Sequence, residues 1–249
     1  MSATPGAHPD WIAPEWSAPP AVKALVTTRA GGVSAPPYDS LNLGFSTGDD
    51  PRAVEENRRR VRALLPEEPR WLKQVHGARV VVAETVADRP EADAAVTRES
   101  NVVCAILVAD CLPVLMCDRA GTVIAAAHAG WRGLAAGVID NTVQAMRTAG
   151  ARDVLAYIGP GIGPRAFEVG RDVFEAYVTR DSAAADAFMP ARAGKWLADL
   201  PALARRALRR CGVLEIHGGN LCTHSDARRF YSYRREPTTG RMGALIWRE

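Results

Sequence analysis

Two uninterrupted apolar runs set the terms for this chain: AILVA at 105–109 and TVIAAA at 122–127. Each has strand length, and neither alternates with polar residues. A strand that is apolar at every position buries both faces, as expected for a sheet covered on both sides. Reactive residues stand where the runs end. Cys111 follows Asp110 beyond the first run, with Leu-Pro behind it as an expected strand stop. His128 ends the second run, and Gly130-Trp131-Arg132-Gly133 leads from it into a helical pattern.

Further strands are expected at 22–29, 80–83, 154–158, 213–217 and 244–247, with a short strand-like run at 71–77 that ends in His76-Gly77. Asp50 and Pro51 open a helix, because Asp caps and Pro fits the first helical position, where no N–H is needed. Val54, Val61, Leu64 and Leu65 supply its apolar stripe. Leu134, Val138, Val143 and Met146 suit a second helix, stopped by Gly150. Helical patterns recur at 170–178 and 196–210. Gly159-Pro-Gly-Ile-Gly-Pro164 reads as a turn or lid, since its prolines exclude a dinucleotide fingerprint. Strands and helices alternate irregularly, which predicts one α/β domain with a mixed sheet flanked by helices over 21–249. Residues 1–20 read as an extended lead-in with one docking contact from Trp11 or Trp16.

The 249 residues are ample for a sizeable core, and 47% hydrophobic with 24% charged is ordinary for a globular chain. A net charge of +3 without a long basic block argues against nucleic acid; the densest run, Arg58 to Arg60 with Arg62, lies in the first helical pattern as a solvated face. No apolar run approaches the ~18 residues of a membrane span, and the N-terminus lacks a signal-peptide pattern. Five cysteines without a CxxC pair read as reduced thiols, which places the expected protein in the cytoplasm, as a monomer or weak homo-oligomer. Cys104 and Cys117 read as core.

Of the five histidines, His76 and His128 share a context, each ending a strand-like run before a glycine or Ala-Gly. With Cys111 they make a donor set that suits Zn²⁺, and three protein ligands leave a fourth position open, as catalytic sites do. Asp110 is then placed to orient a ligand imidazole. The same residues without metal make a Cys–His pair for nucleophilic chemistry. The plainer alternative is an inert core thiol and a hydrogen-bonded core histidine. Arg132, at the opening of a helical pattern, suits an anion, and so do the backbone N–H groups from Gly130 onward. The loop at 30–50, rich in Gly, Pro, Ser, Asn and Asp, is long enough to be functional.

Several segments resemble the YfiH family, also called laccase-domain or peptidoglycan-editing-factor-like proteins. They are TTRAGGVS, YDSLNLG, ENRRRV, LKQVHG, EADAAVT, VADCLPVLMCD, AAAHAGWRG, IGPGIGP and FYSYRREPTTGR, in the family's order from Thr27 to Arg241. The resemblance implies layered helices and mixed sheets, α/β/β/α. It also implies a metal site at His76, Cys111 and His128, usually zinc, with copper the less favoured ion. Implied activities are phosphorolysis of adenosine, inosine, guanosine or methylthioadenosine, and deamination of adenosine. Editing of peptidoglycan precursors that carry Ser in place of Ala is the alternative, and a zinc-containing binding protein a further one. A multicopper oxidase needs more histidines than this chain offers. Under the purine reading Asp110 is an acid/base candidate. Arg58, Arg132, Ser40 and Asn42 are candidates for phosphate. Asn42 and Arg58 join the active-site set by resemblance, and Arg29 serves the same loop. The aromatics at 230–233 could stack on a base, but strand packing is the favoured expectation.

Overall fold

The structure is a computed structural model that describes residues 6–86 and 88–249. In chain order its elements are β1 (Val22–Val26), α1 (Pro51–Arg62), β2 (Val80–Val82), β3 (Ala94–Thr97), β4 (Cys104–Val108), β5 (Leu112–Asp118) and β6 (Ile124–Ala129). Next come α2 (Trp131–Ala136), α3 (Val138–Thr148), β7 (Val154–Ile158), β8 (Glu168–Val169) and α4 (Arg171–Val178). The chain closes with β9 (Phe188–Pro190), β10 (Trp196–Ala198), α5 (Leu200–Arg210), β11 (Glu215–Gly218) and β12 (Met242–Arg248).

A six-stranded sheet, ordered β11-β7-β5-β6-β3-β2, is the centre of the molecule. It is mixed: β11 with β7 and β2 with β3 are parallel, and the remaining pairs are antiparallel. Its inner strands β7, β5, β6 and β3 are buried on both faces, and its edge strands β11 and β2 are partly exposed. Of the two continuous apolar runs only 122–127 lies here, as β6, while 105–109 is β4 of a second sheet. Val114 and Met116 of β5 with Ala125 and Ala127 of β6 face α3 and α5, meeting Ile139, Val143, Leu203 and Leu208. The alternate residues Leu115, Cys117, Ile124 and Ala126 face a three-stranded sheet, β1-β12-β4, through Ile106, Ala244 and Ile246. The outer side of that second sheet packs Leu25, Ala105 and Leu245 against Val61 of α1, Leu65 and Trp71. The layers are therefore helix, sheet, sheet, helix. A small sheet β8-β10-β9 lies with α4 at the edge of the first core.

Several local expectations hold for the stated reasons. The Asp50 side chain accepts from the Arg52 amide, and Pro51 is the first helical residue of α1. Trp16 is buried, its ring 6.3 Å from that of Tyr157, and Trp11 donates to the Ala30 carbonyl. Others need correction. Leu-Pro after Cys111 does not stop a strand but starts one: β5 carries Pro113 as its second residue, and the Pro113 carbonyl still accepts from the Gly159 amide at 2.8 Å. The missing N–H is tolerated near a strand start. The helical pattern after Gly133 is two helices, since Gly137 takes φ +92° between them. The 71–77 run is not a strand: it makes one isolated bridge, Lys73 with Glu91, and Arg70 just before it makes another with Cys104. Gly159 to Ile162 are buried, and Gly161 bridges to Cys222, so this segment is a fixed turn and not a lid. Among the described residues no helix is long and apolar enough to cross a membrane.

Candidate active site

The register of the central sheet brings the reactive residues together. Leu112 of β5 lies opposite Ala129 of β6 and Pro113 opposite His128, which puts Cys111, in the turn between β4 and β5, at the same sheet end as His128. His76 arrives from the irregular 71–77 segment, with φ +60°. The ligand atoms of His76, Cys111 and His128 all lie within 4.8 Å of one another. His128 is buried, Cys111 half-buried, and His76 open to solvent.

A residue the sequence reading did not single out organises this set. Ala94 of β3 pairs with Ala127, so Asp93 falls beside His128, whose amide donates to the Asp93 carbonyl at 2.7 Å. The Asp93 carboxylate is fully buried and accepts from four donors. These are His128 Nδ1 at 2.8 Å and the amides of Val75, His76 and Gly77 at 3.2, 2.9 and 2.7 Å. An ionised carboxylate only accepts, so Nδ1 of His128 carries a proton and Nε2 is the ring nitrogen turned to the site. One side chain thus fixes the ring of one histidine and the backbone of the other. Burial works to raise the Asp93 pKa, but the bonds from His128, Gly77 and Val75 outweigh it and hold the carboxyl below its ordinary value. The signal in the sequence was an acid directly before the apolar strand of EADAAVT.

The thiols of Cys104, Cys111 and Cys117 behave differently. Burial pushes Cys104 up to about 12 and raises Cys117 still further. Burial acts on Cys111 in the same direction, yet the charge and hydrogen bonds of His128 and the hydrogen bond of His76 pull it down. Burial alone would depress His128, and Cys111 and Asp93 raise it instead. Of these three, Cys111 is the one drawn toward the thiolate, the form that ligates metals or attacks carbon. Gly130 confirms how little room remains: a Cβ there would stand 2.7 Å from Cys111 Sγ and 3.3 Å from His76 Cδ2. A borderline-soft ion fits this thiolate–imidazole set, with Asp93 behind one imidazole.

Around the three residues lies a cavity of 570 Å³. Its wall carries the guanidinium groups of Arg89, Arg132, Arg234 and Arg241, none in an ion pair among the described residues, and Lys73, which pairs with Glu91. Asp110 is the one carboxylate on that wall. Aromatic side chains complete it, among them Phe45, Trp131 and Tyr233. Such a surface suits an anion next to a flat ring.

The expected site residues divide sharply. Asp110 does not orient an imidazole: its carboxylate accepts from Thr223 Oγ1 at 2.6 Å and the Arg234 amide at 2.7 Å, and Asp93 takes the role expected of it. Gly130 abuts Cys111, and Arg132 lines the cavity with its guanidinium 4.5 Å from the Trp131 ring centroid. Asn42, Ser40 and Arg29 turn inward on their own loop. Asn42 is fully buried, accepts from the amides of Gly44 and Arg241, and donates to Thr47 and Asp49. Ser40 donates to the Arg29 carbonyl, and Arg29 pairs with Asp39 at 3.1 Å and donates to the Ala227 carbonyl. Arg58 is held between two aromatic rings behind the cavity wall, its Cζ 4.5 Å from the Phe45 centroid and 4.2 Å from that of Trp71. Tyr233, whose expected role was packing, lines the cavity together with Arg241, whereas Phe230 and Tyr231 are core. Asn57 was also missed. Buried in α1, it donates to Ser34, Ser40 and Asn42 and accepts from the Val33 amide, so it ties down the whole 30–42 loop.

Fold and site together define a layered α/β protein with one three-donor centre in a cationic, aromatic-walled cavity. The chain belongs to the family described as multi-copper polyphenol oxidoreductase laccase, whose model matches residues 23–249. It is 53% identical over 238 residues to a Pseudomonas aeruginosa protein named purine nucleoside phosphorylase, covering 95% of this chain and 98% of that one. It is 51% identical to purine nucleoside phosphorylase YfiH of Escherichia coli, with 95% and 98% covered. Among solved structures, a Neisseria meningitidis protein superposes with TM-score 0.92 at 50% identity, over 96% of this chain and 99% of that one. YlmD from Geobacillus stearothermophilus gives 0.83 at 31% identity, over 92% and 93%. The family's description speaks of several coppers. Among the described residues His76, Cys111 and His128 form the one group of three or more potential ligands at metal-binding spacing, so the donor set fits a single ion.

Proposed function

We propose that this chain is a metal-dependent purine nucleoside phosphorylase that also deaminates adenosine, with Zn²⁺ held by His76, Cys111 and His128. The observation that carries the reading is the juxtaposition, in one cavity, of that donor set with unpaired guanidinium groups and exposed aromatic rings. The relatives named purine nucleoside phosphorylase support it. When bound, a zinc ion supplies Lewis acidity toward an oxygen ligand or water.

The chain's own residues do the rest. Arg241, Arg234 and Arg132 gather phosphate against the sugar and neutralise its charge, which lowers the cost of bringing an anion into a partly buried site. Burial lowers the Arg241 pKa, and the charge of Cys111 works against that; a guanidinium so placed remains a cation at neutral pH. In phosphorolysis a phosphate oxygen forms a bond to C1′ of the ribose. The N-glycosidic bond breaks, its electron pair leaves with the base, and the base takes up a proton. Holding both reactants in one cavity supplies the positional part of the rate. Asp93 holds Nδ1 of His128 and so turns Nε2 toward Cys111 and the site. Adenosine, inosine, guanosine and methylthioadenosine are the proposed substrates.

A second reading has its own observation. Cys111, His128 and Asp93 are arranged as nucleophile, base and orienting carboxylate, which suits amide hydrolysis on a peptidoglycan precursor carrying Ser. The separating experiment is incubation of zinc-loaded protein with adenosine, with and without phosphate. The purine reading expects adenine and ribose-1-phosphate only with phosphate, and inosine in both. Absence of all three, with UDP-muramoyl-serine hydrolysed instead, gives the site to the second reading.

A further inference from the structure

Phe45 sits oddly for a large apolar residue: it is 39% exposed, at the wall of the cavity, with its ring backed by a cation. Behind it the order is Phe45, Arg58, Trp71, and Trp71 is buried in the outer core. The Arg58 guanidinium has no carboxylate partner among the described residues. Its Nε donates to the Leu43 carbonyl at 2.9 Å, and its buried Nη2 finds no acceptor there. Burial pulls its pKa down to about 10, with the charge of Arg89 adding to the effect. The loop is pinned from its other side as well. The Leu43 amide donates to the Arg241 carbonyl at 3.1 Å, and Gly44 lies so close to Arg241 that a Cβ would meet its Cγ at 2.8 Å. A ring left open to solvent and a guanidinium buried without full hydrogen bonding both work against stability. Fixed in this way, the ring gains an outer face that is rigid, apolar and turned to the cavity that holds His76, Cys111 and His128.

We infer that Phe45 is the platform on which the substrate's purine ring stacks, and that Arg58 is a positioning residue that fixes the platform from behind. The inference rests on the nucleoside reading above and deepens it. A purine offers a larger π-face than a pyrimidine, so the platform favours purines without any hydrogen bond to the base edge. It also gives Arg58 a different part from the phosphate contact expected of it: its cation faces two rings and a carbonyl, not the cavity.

The test uses full-length zinc-loaded protein, with adenosine binding by calorimetry and steady-state kinetics in adenosine and in phosphate. Phe45→Leu is expected to raise the Kd and KM for adenosine by about 10- to 100-fold, the loss seen when a stacking residue is removed. The KM for phosphate, kcat and metal content stay within about twofold of wild type. Phe45→Trp restores adenosine binding. Arg58→Met raises the same KM by a smaller factor, and Arg58→Lys recovers part of it. If Arg58→Met does not fold, the Phe45→Leu and Phe45→Trp pair decides the matter alone. Wild-type protein that binds and cleaves adenosine while Phe45→Leu does so equally well overturns the platform only. Wild-type protein that neither binds nor cleaves adenosine overturns the nucleoside reading and the platform with it.

Discussion

The two sides of the cavity are built by different means. The side that carries His128, Cys111 and Asp93 is the end of a sheet, and its geometry follows from strand register. The facing side, formed by the 43–47 loop and the 233–241 segment, has no ladder to hold it. There, buried amides and guanidiniums replace the sheet: Asn57 and Asn42 bind loop backbone, Asp110 holds the Arg234 amide, and Arg58 stacks behind Phe45. The contrast assigns chemistry to the side where sub-ångström placement comes from the fold, and recognition to the side whose sequence can vary without disturbing the ligands.

If that division is right, substitutions on the two sides should fail differently. The largest effect is expected for Asp93→Ala. It leaves His128 Nδ1 and three amides without their acceptor, and stability should fall by about 3–5 kcal/mol. The gentler Asp93→Asn should lower metal affinity about 10- to 100-fold, the usual cost of losing a carboxylate behind a ligand histidine. Thermal melting and competitive chelator titration measure both. The acid limb of stability follows from the same residue. A carboxyl held below its ordinary value stabilises the fold above about pH 4, and that contribution is lost as pH falls through the depressed value. Asp93→Asn should therefore flatten the decline of stability in acid.

Next in size is Asn57→Ala, expected to cost about 2–3 kcal/mol because several loop groups lose a buried partner. Its metal affinity should match wild type while the KM for adenosine rises; a loss of metal would erase the distinction between the two sides. Gly130→Ala should cost about 1–3 kcal/mol through overpacking against Cys111, and here metal content should drop with stability. The smallest structural effect belongs to Arg132→Ala, exposed on α2, where melting should change by no more than about 0.5 kcal/mol. Only the KM for phosphate should rise, by a few-fold.

The same contrast explains what could be read from the sequence. The continuous apolar runs forecast strands covered on both faces, though not that β4 and β6 would fall in two stacked sheets, and residues at their ends forecast one side of the site. Asp93 escaped notice because an acid beside an apolar strand is common, and its value lies in four donors that the fold delivers from two other segments. Pro113 misled for a local reason: a proline signal cannot distinguish the end of one strand from the start of the next. On the loop side Asn42, Ser40 and Arg29 were placed near the site by resemblance, yet residue type does not say whether a polar side chain faces the cavity or its own loop. Tyr233 shows the reverse error, since Tyr231 and Tyr233, two positions apart, go to the core and to the cavity respectively.

The single centre formed by His76, Cys111 and His128 is tested most directly by metal content from elemental analysis, with phosphorolysis assayed on the same samples. Wild-type protein is predicted to carry one zinc per chain and to cleave adenosine with phosphate, and folded Cys111→Ala to carry none and to be inactive. A folded Cys111→Ala protein with full metal content and full activity would contradict it.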